Sequence, residues 1–462
     1  MRKRFVFITA RRKELRGGNM KKRRLMLCSI ISLIMVFVMA VPMTVSADTA
    51  TKVAKIGNTE YATLEEAVKA AQDRDTIELT APITASITIP AGKNITLDLN
   101  GQTLTGAGEK WVAAITNNGT LTIKDSIGNG KISRNSAKGN THYVIDNQGT
   151  LTIESGEISI TSPVAMPEGA SLIRNAGKGK EATLTITGGK IFQDGFIAVK
   201  NDDQGILKIT GGEIGTSGDT ATNTASAVQN WGKADITGGT IGNIWTGIWN
   251  DQYDSETNIS GNATVAGTVV VKRDYTNGNP TKKPKLKITG GTFDVNWAVV
   301  KSEADITIAG GNYTSAPDAD FVAEEHLMIH YRSGGNDGKY YVGTNEEIQT
   351  IVNNAKSGDI IDVIHGKADL TLTKPGVTIG NNGAEVVVNG QKLERGTTTV
   401  IKEVDPTKPS QDQTQKPSDT AKADKSAKTG DDFNLFAVGG VALAAIIAMA
   451  AVAITGRRHR QR

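Results

Sequence analysis

The sequence predicts an all-β chain whose main part is a right-handed parallel β-helix, with a short N-terminal capping helix and a C-terminal transmembrane helix. Three features predict this fold. Apolar and polar residues alternate over short segments, which indicates strands. Gly-Gly pairs follow several of these segments, at 188–189, 211–212, 238–239, 290–291 and 310–311. The same unit also recurs from residue 115 to residue 311, which is typical of a solenoid.

Each unit begins with an apolar residue, then any residue, then asparagine. The asparagines of six successive units are Asn117, Asn147, Asn175, Asn201, Asn230 and Asn250. Their spacing varies from 20 to 30 residues, whereas helical repeats keep a fixed length. We therefore expect stacked coils about 4.8 Å apart, with aliphatic side chains inside and each Asn hydrogen-bonded to the next. A β-sandwich is the rival fold, but its strands need no asparagine in register.

Two similar segments flank the repeats. Thr63 and Glu66 form a capping-box pattern before an amphipathic helix, and Thr344 and Glu347 repeat it. Each copy continues with an apolar strand and an Asn-Gly-Gln turn. The first helix would cover the open edge of the first coil, which otherwise invites aggregation. We therefore predict a capped β-helix at 48–343 and a second cap-like segment at 344–404, which either closes the stack or begins another.

Residues 1–47 have the pattern of a signal peptide. A basic segment leads into an apolar run at 25–41, and small residues follow it. We predict cleavage between Ala47 and Asp48, and Met20 as the true start, because a complete basic segment follows it. Cys28 is the one cysteine and is removed with this segment. The mature chain then has no thiol for disulfides, zinc ligation or catalysis.

Removal of the signal peptide reverses the net charge. The whole chain has a formal net charge of +4, but 41 basic and 47 acidic residues remain from Asp48 onward, a net charge of −6. Nucleic-acid binding depends on basic residues that neutralise phosphates. We expect no nucleic-acid partner.

The C-terminal end consists of three segments. Residues 405–428 are rich in Pro, Ser, Thr, Lys, Asp and Gln and predict a disordered spacer. Residues 433–455 form a run of 23 residues without charge, which is long enough to cross a bilayer as a helix. Arginines follow at once, and a short basic tail stays on the cytoplasmic side. We therefore expect everything upstream of the span to lie outside the cell.

The residues around the span resemble a known targeting signal. Lys428-Thr429-Gly430, the apolar run and the Arg-rich tail are similar to the sortase sorting signal of Gram-positive surface proteins. In that family the chain is cut between Thr and Gly, and Thr is joined to the cell wall. The resemblance implies that 429–462 is a sorting signal and that sortase and peptidoglycan are partners. Ser426 and Ala427 replace the Leu and Pro of the family pattern, so the alternative is anchoring in the membrane by the span alone.

The repeats also resemble a known family. The N-terminal helix, the Asn-Gly-Gln turn and the Gly-Gly coils are similar to the pectin-lyase-like β-helix region of Gram-positive surface proteins, over roughly 53–393. Enzymes with that fold cut acidic polysaccharides. They use clustered Asp with calcium and an Arg, or paired Asp with Gly-His-Gly and Arg-x-Lys motifs. The sequence has neither set, so the resemblance implies a fold more than an activity.

Asp194, Asp202 and Asp203 are the nearest approach to a catalytic or metal-binding group. A pair of these carboxylates could serve a glycosidase, and the same acidic corner could bind Ca²⁺. Asn-Asp-Asp is also ordinary turn chemistry, and we interpret it as a turn. We assign no catalytic residue and no cofactor, and we favour a protein without enzymatic activity.

Aromatic residues give the one distinctive surface pattern. If Val228, Ile248 and Val300 point inward, alternation turns the nearby indoles outward. The candidate glycan-binding residues are Trp231, Trp245, Trp249, Tyr253 and Trp297. Exposed rings in a row suit stacking against sugars. The alternative is that loops cover these rings or that the alternation slips at a bulge.

Three classes of function remain open. We favour a surface-anchored module that binds a glycan or a host-surface ligand without cleaving it. A polysaccharide lyase or hydrolase is favoured only by the fold resemblance. A structural stalk would be favoured if the tryptophans proved to be buried.

Overall fold

The computed structural model describes residues 51–108, 111–134, 143–160, 171–177, 179–217, 225–248, 250–275, 279–336 and 338–402. The predicted signal peptide, spacer, sorting signal and transmembrane span lie outside these residues, as does Trp249. Among the described residues, no helix has the length and apolar character needed to cross a membrane.

Most of the described chain consists of short strands. At the N-terminal end they are β1 (Ala54–Ile56), β2 (Thr59–Tyr61), β3 (Asp75–Leu79), β4 (Ile83–Thr84) and β5 (Ile87–Ile89). The coils that follow contain β6 (Asn94–Asp98), β7 (Thr103–Gly106), β8 (Ile115–Asn117), β9 (Thr120–Lys124), β10 (Lys131–Arg134), β11 (Ile145–Asn147), β12 (Thr150–Ile153), β13 (Glu157–Ile160), β14 (Ile173–Asn175), β15 (Ala182–Ile186), β16 (Lys190–Gln193), β17 (Val199–Asn201), β18 (Gly205–Ile209), β19 (Glu213–Thr216), β20 (Val228–Asn230), β21 (Lys233–Ile236), β22 (Thr240–Ile241), β23 (Ile244–Ile248) and β24 (Glu256–Ile259). Three long strands complete this part, namely β25 (Thr264–Arg273), β26 (Lys285–Val299) and β27 (Asp305–Tyr313).

The strands form three parallel ladders, and each coil contributes one strand to each. The first ladder contains β6, β9, β12, β15, β18, β21 and β24. The second contains β7, β10, β13, β16, β19 and β22. The third contains β5, β8, β11, β14, β17, β20 and β23. This parallel stacking confirms the predicted solenoid and contradicts the β-sandwich, whose strands are antiparallel.

Aliphatic side chains fill the space between the ladders. In the third ladder Ile145 pairs with Ile115 and Ile173, and all three are fully buried. In the first ladder Leu151 is stacked in the same way. Burial of each such side chain contributes about 1.5–3 kcal/mol. In these two ladders the alternation in the sequence thus predicts correctly which residues face the core.

The asparagine ladder is present at the end of the third-ladder strands. Each Asn donates from Nδ2 to the Oδ1 of the next Asn, over 2.7–2.8 Å, in the series Asn117, Asn147, Asn175, Asn201 and Asn230. The prediction that Asn250 is the sixth member is wrong, because Asn230 pairs in register with Thr246 and not with Asn250. Thr257 accepts a hydrogen bond from Asn230 at 2.9 Å and contacts the hydroxyl of Thr246 at 2.8 Å. Threonine hydroxyls therefore end the amide ladder.

The two predicted helices are also present. They are α1 (Leu64–Ala70) and α2 (Asn345–Asn354), and both begin with a complete capping box, from Thr63 and Thr344 respectively. Helix α1 contacts β1, β2 and β5 and buries Leu64 in the core of the solenoid. It therefore covers the first coil, as the amphipathic pattern predicts.

The described chain continues into a second stack with its own core. Its strands are β28 (His326–Arg332), β29 (Lys339–Thr344), β30 (Ile360–His365), β31 (Lys367–Leu370), β32 (Thr378–Asn381), β33 (Glu385–Val388), β34 (Gln391–Leu393) and β35 (Thr398–Val400). Short 3-10 helices lie at Lys301–Glu303, Ala319–Phe321 and Ser333–Gly335. The parallel run ends at β27, which pairs antiparallel with β29. A separate apolar cluster includes Leu327, Ile329 and Ile348.

Side chains of α2 protect the edge of this second stack. Asn345 exchanges two hydrogen bonds of 2.9 Å with the backbone of Asp369. Gln349 does the same with Thr371, at 2.7 and 2.9 Å. The side-chain amides thus act as a substitute strand beside β31, which would otherwise present unpaired backbone groups.

Candidate functional site

The outer surface of the third ladder carries a row of polar and aromatic side chains. In each unit the residue between the inward apolar residue and the inward Asn points outward. Register places these residues side by side, as Thr116, Asp146, Arg174, Lys200, Gln229 and Trp245. The residue after each Asn, or after Thr246 in the last of these strands, adds a second row that includes Gln148, Asp202, Trp231 and Gly247. We call these two rows the third-ladder face.

Ion pairs join the middle of the third-ladder face. Arg174 lies between two carboxylates, with its Nε 2.8 Å from Asp202 Oδ2 and its Nη1 3.9 Å from Asp146 Oδ1. Lys200 Nζ is 3.5 Å from the other oxygen of Asp202. Gln148 donates to Asp146 Oδ2 at 2.7 Å. Two cations and two carboxylates therefore balance each other across three coils.

The network is largely buried, and burial affects its ionisation. Asp146 and Asp202 are only 8% and 9% exposed. Burial acts to lower the pKa of the Arg174 guanidinium, but the nearby Asp202, Tyr143 and Asp146 outweigh it, so this pKa is raised. Burial raises the pKa of the Tyr143 hydroxyl, and its ring lies 5.4 Å from the Arg174 Cζ. At neutral pH the guanidinium is charged and the phenol is neutral.

Trp231 and Trp245 lie at the other end of the third-ladder face. The register of Trp245 with Gln229 and Val270 confirms that it points away from the core. The predicted exposure is wrong, since the two indoles are only 8% and 5% exposed. Lys200 Nζ lies 4.1 Å from the ring centre of Trp231, and Lys272 Nζ lies 4.8 Å from that of Trp245.

Gly247 explains why these two indoles are buried. A Cβ atom at Gly247 would lie 2.7 Å from Trp245 Nε1 and 3.2 Å from Trp231 Nε1. The missing side chain leaves space in which both rings lie against the sheet. Alternation predicts correctly on which side of the sheet Trp245 lies, but it does not predict whether the ring is exposed to solvent there.

The prediction for Trp297 is wrong in direction. Trp297 pairs with Val269, an inward residue, and stacks on Phe293 with ring centres 6.4 Å apart. The prediction took Val300 as an inward residue. Val300 is instead 41% exposed and lies beyond the end of β26, so it does not mark the inward side of the strand. Tyr253 is half-buried in the turn after β23.

The acidic corner does not form a metal site among the residues that the structure describes. Asp202 is engaged by Arg174 and Lys200, and Asp203 lies in the turn before β18. Asp194 follows β16, before the segment that leads into β17. Across the described ranges, no three His, Cys, Asp or Glu side chains are arranged to hold a metal ion. The turn interpretation therefore fits Asp202 and Asp203, and Asp194 stands apart from them.

Sequence reasoning missed Asp146, Arg174, Lys200 and Gln148. The signal that could have found Asp146, Arg174 and Lys200 is the middle residue of the apolar-x-Asn unit, whereas Gln148 follows the Asn of its unit. That position is Asp, Arg, Lys and Gln in successive coils, which places a carboxylate beside two cations in the stack. No protein-family model, curated protein or solved structure matches the chain, so the site rests on its own geometry.

Proposed function

We propose that the chain is an exported, surface-anchored protein that binds a glycan through the third-ladder face without cleaving it. The observation that supports this function is the register of that face. From Asp146 to Trp245 it presents a carboxylate, a guanidinium, an ammonium, an amide and an indole in consecutive strands. Four strand steps of about 4.8 Å span about 19 Å. An extended oligosaccharide suits such a row better than a compact metabolite does.

The chemistry of the row favours hydroxyl ligands. A sugar hydroxyl both donates and accepts hydrogen bonds, and the row contains an acceptor, Asp146, as well as the donors Arg174 and Lys200. Asp202 is held by Arg174 and Lys200, and Asp146 accepts a hydrogen bond from Gln148 through Oδ2. A general acid or base needs a group free to exchange a proton with the substrate. The arrangement therefore supports binding more than catalysis.

Lys200 and Lys208 provide a matched test of this function. Both lie in the same coil, but Lys200 is on the third-ladder face whereas Lys208 is exposed on the first ladder. We expect Lys200→Ala to weaken retention on a polysaccharide panel by about tenfold, or about 1.4 kcal/mol, because it removes a donor from the middle of the row. Lys208→Ala should retain wild-type binding. Equal loss in both variants, or release of oligosaccharide by the wild type, would contradict the proposal.

A structural stalk is the second candidate, and the burial of Trp231 and Trp245 favours it. Buried indoles contribute to stability without any ligand. A wild-type chain that binds no polysaccharide of the panel would support this function.

The proposed location follows from the targeting signals and not from the described structure. We propose that residues 1–47 direct export, that 433–455 span the membrane, and that the chain is then joined to the wall of a Gram-positive cell. We also propose that the solenoid winds in the right-handed sense, as parallel β crossovers nearly always do, and that it is of the pectin-lyase-like type.

Thr429 is the residue that tests wall attachment. Its carbonyl would be the point of sortase attack, so Thr429→Ala should move the protein from the cell-wall fraction to the membrane fraction. Thr420→Ala, in the predicted spacer, is the control and should remain in the wall. A wild-type protein that is found only in the membrane fraction would show that the span alone holds it.

A further inference from the structure

We infer that the third-ladder face selects neutral, hydroxyl-rich glycans over polyanionic ones. The inference rests on the proposed function, because it concerns the ligand of the same face. It starts from Asp146, whose Oδ1 is buried and has no hydrogen-bond partner. Arg174 Nη1 is 3.9 Å from this oxygen, which is beyond hydrogen-bond distance.

A buried carboxylate oxygen without a donor is unfavourable. A ligand that supplies an O–H or N–H group to Asp146 Oδ1 recovers this free energy. A ligand carboxylate or sulfate at neutral pH has no proton to donate, and it would place a second negative charge beside Asp146. This end of the face therefore accepts a hydroxyl or an amide and repels an anion.

The cations in the middle of the face are already paired. Arg174 and Lys200 share Asp202 at 2.8 and 3.5 Å. An anionic sugar would have to replace one of these contacts, which would leave the largely buried Asp202 with one cation instead of two. Breaking a buried pair in this way is unfavourable. A polyanion therefore gains little from these two cations.

The far end of the face needs an acceptor, which a hydroxyl also provides. Trp245 Nε1 is buried and has no hydrogen-bond partner. Asp146 and Trp245 are thus an unmatched acceptor and an unmatched donor, four strand steps apart. A neutral hydroxyl, repeated along a chain, satisfies both kinds of site, because it can donate at one end of the face and accept at the other.

Matched pairs of polymers test this selectivity. The full chain, solubilised in detergent, is measured at about 0.15 M salt, where long-range charge effects are screened. The probes are dextran with carboxymethyl-dextran, hydroxyethylcellulose with carboxymethylcellulose, and galactan with polygalacturonate. We expect the neutral member of any bound pair to bind at least tenfold more tightly. Tighter binding of the anionic member would overturn the inference and leave the proposed glycan binding intact.

A charge-matched pair of variants tests whether the selectivity arises at the third-ladder face. Asp146→Asn removes one negative charge from the face, so preference should shift at least tenfold towards the anionic polymers. Asp235→Asn makes the same change on the exposed surface of the first ladder and should leave the preference unchanged. Equal shifts in both variants would overturn the inference, because net charge alone would then explain them. A wild-type chain that binds neither member of every pair would refute the proposed function itself.

Discussion

Replacing Asn175 by alanine is expected to lower the free energy of unfolding by about 3 kcal/mol, because several buried polar groups lose their partners. Asn175 Nδ2 lies 2.7 Å from Asn201 Oδ1 and 3.1 Å from the carbonyl oxygens of Ala182 and Ile206. Its Oδ1 accepts from Asn147 Nδ2 at 2.7 Å. Alanine leaves several buried groups unpaired, each at about 1–3 kcal/mol.

Urea unfolding of the Asn175→Ala variant, followed by circular dichroism, measures this loss. Asn262→Ala is the control, because Asn262 lies in the same solenoid but is exposed at a corner. We expect the control to change stability by less than about 0.5 kcal/mol. An Asn175→Ala variant as stable as the control would show that the ladder does not hold the coils together.

Gly211→Ala is expected to destabilise the solenoid by about 2–3 kcal/mol. Gly211 is the first glycine of a Gly-Gly corner, and a Cβ atom there would lie 2.3 Å from the carbonyl oxygen of Thr187 in the preceding coil. The obstacle is backbone, so it cannot move aside as a flexible side chain can. The stacked coils would have to separate locally.

Gly215 provides the control within the same coil. A Cβ atom at Gly215 would meet Phe192 at 3.4 Å, an ordinary contact with a side chain. Thermal unfolding should therefore show a clear loss in melting temperature for Gly211→Ala and little change for Gly215→Ala. Equal losses would mean that the corner contact is not what requires glycine at position 211.

The fold could be predicted from the sequence because one rule repeats in every coil. Inward positions alternate with outward ones, and a buried asparagine marks the same corner in successive coils. The prediction fails where the rule stops, at Asn250, whose place in the ladder is taken by Thr246. Asn230 donates instead to the hydroxyl of Thr257, which contacts that of Thr246, so the apolar-x-Asn pattern alone cannot show where the ladder ends.

The candidate site was harder to predict than the fold. Alternation places Trp245 on the correct side, but its burial depends on the space above Gly247, which is not encoded in alternation. The ion network joins Asp146 to Asp202 through Arg174, and these residues are far apart in the sequence. Only the register of three coils brings them together.

The most direct test of the account is to locate the glycan on the protein. If the signal peptide is removed as predicted, Cys28 is lost with it. A single cysteine introduced by mutation is then the one thiol that can be labelled. Thr116→Cys probes the third-ladder face and Thr152→Cys probes the outer side of the first ladder, where both threonines are half-buried. We expect a bound neutral glycan to slow iodoacetamide labelling at position 116 at least tenfold and to leave position 152 unchanged. Protection at position 152 without protection at position 116 would contradict the claim that the third-ladder face is the binding site.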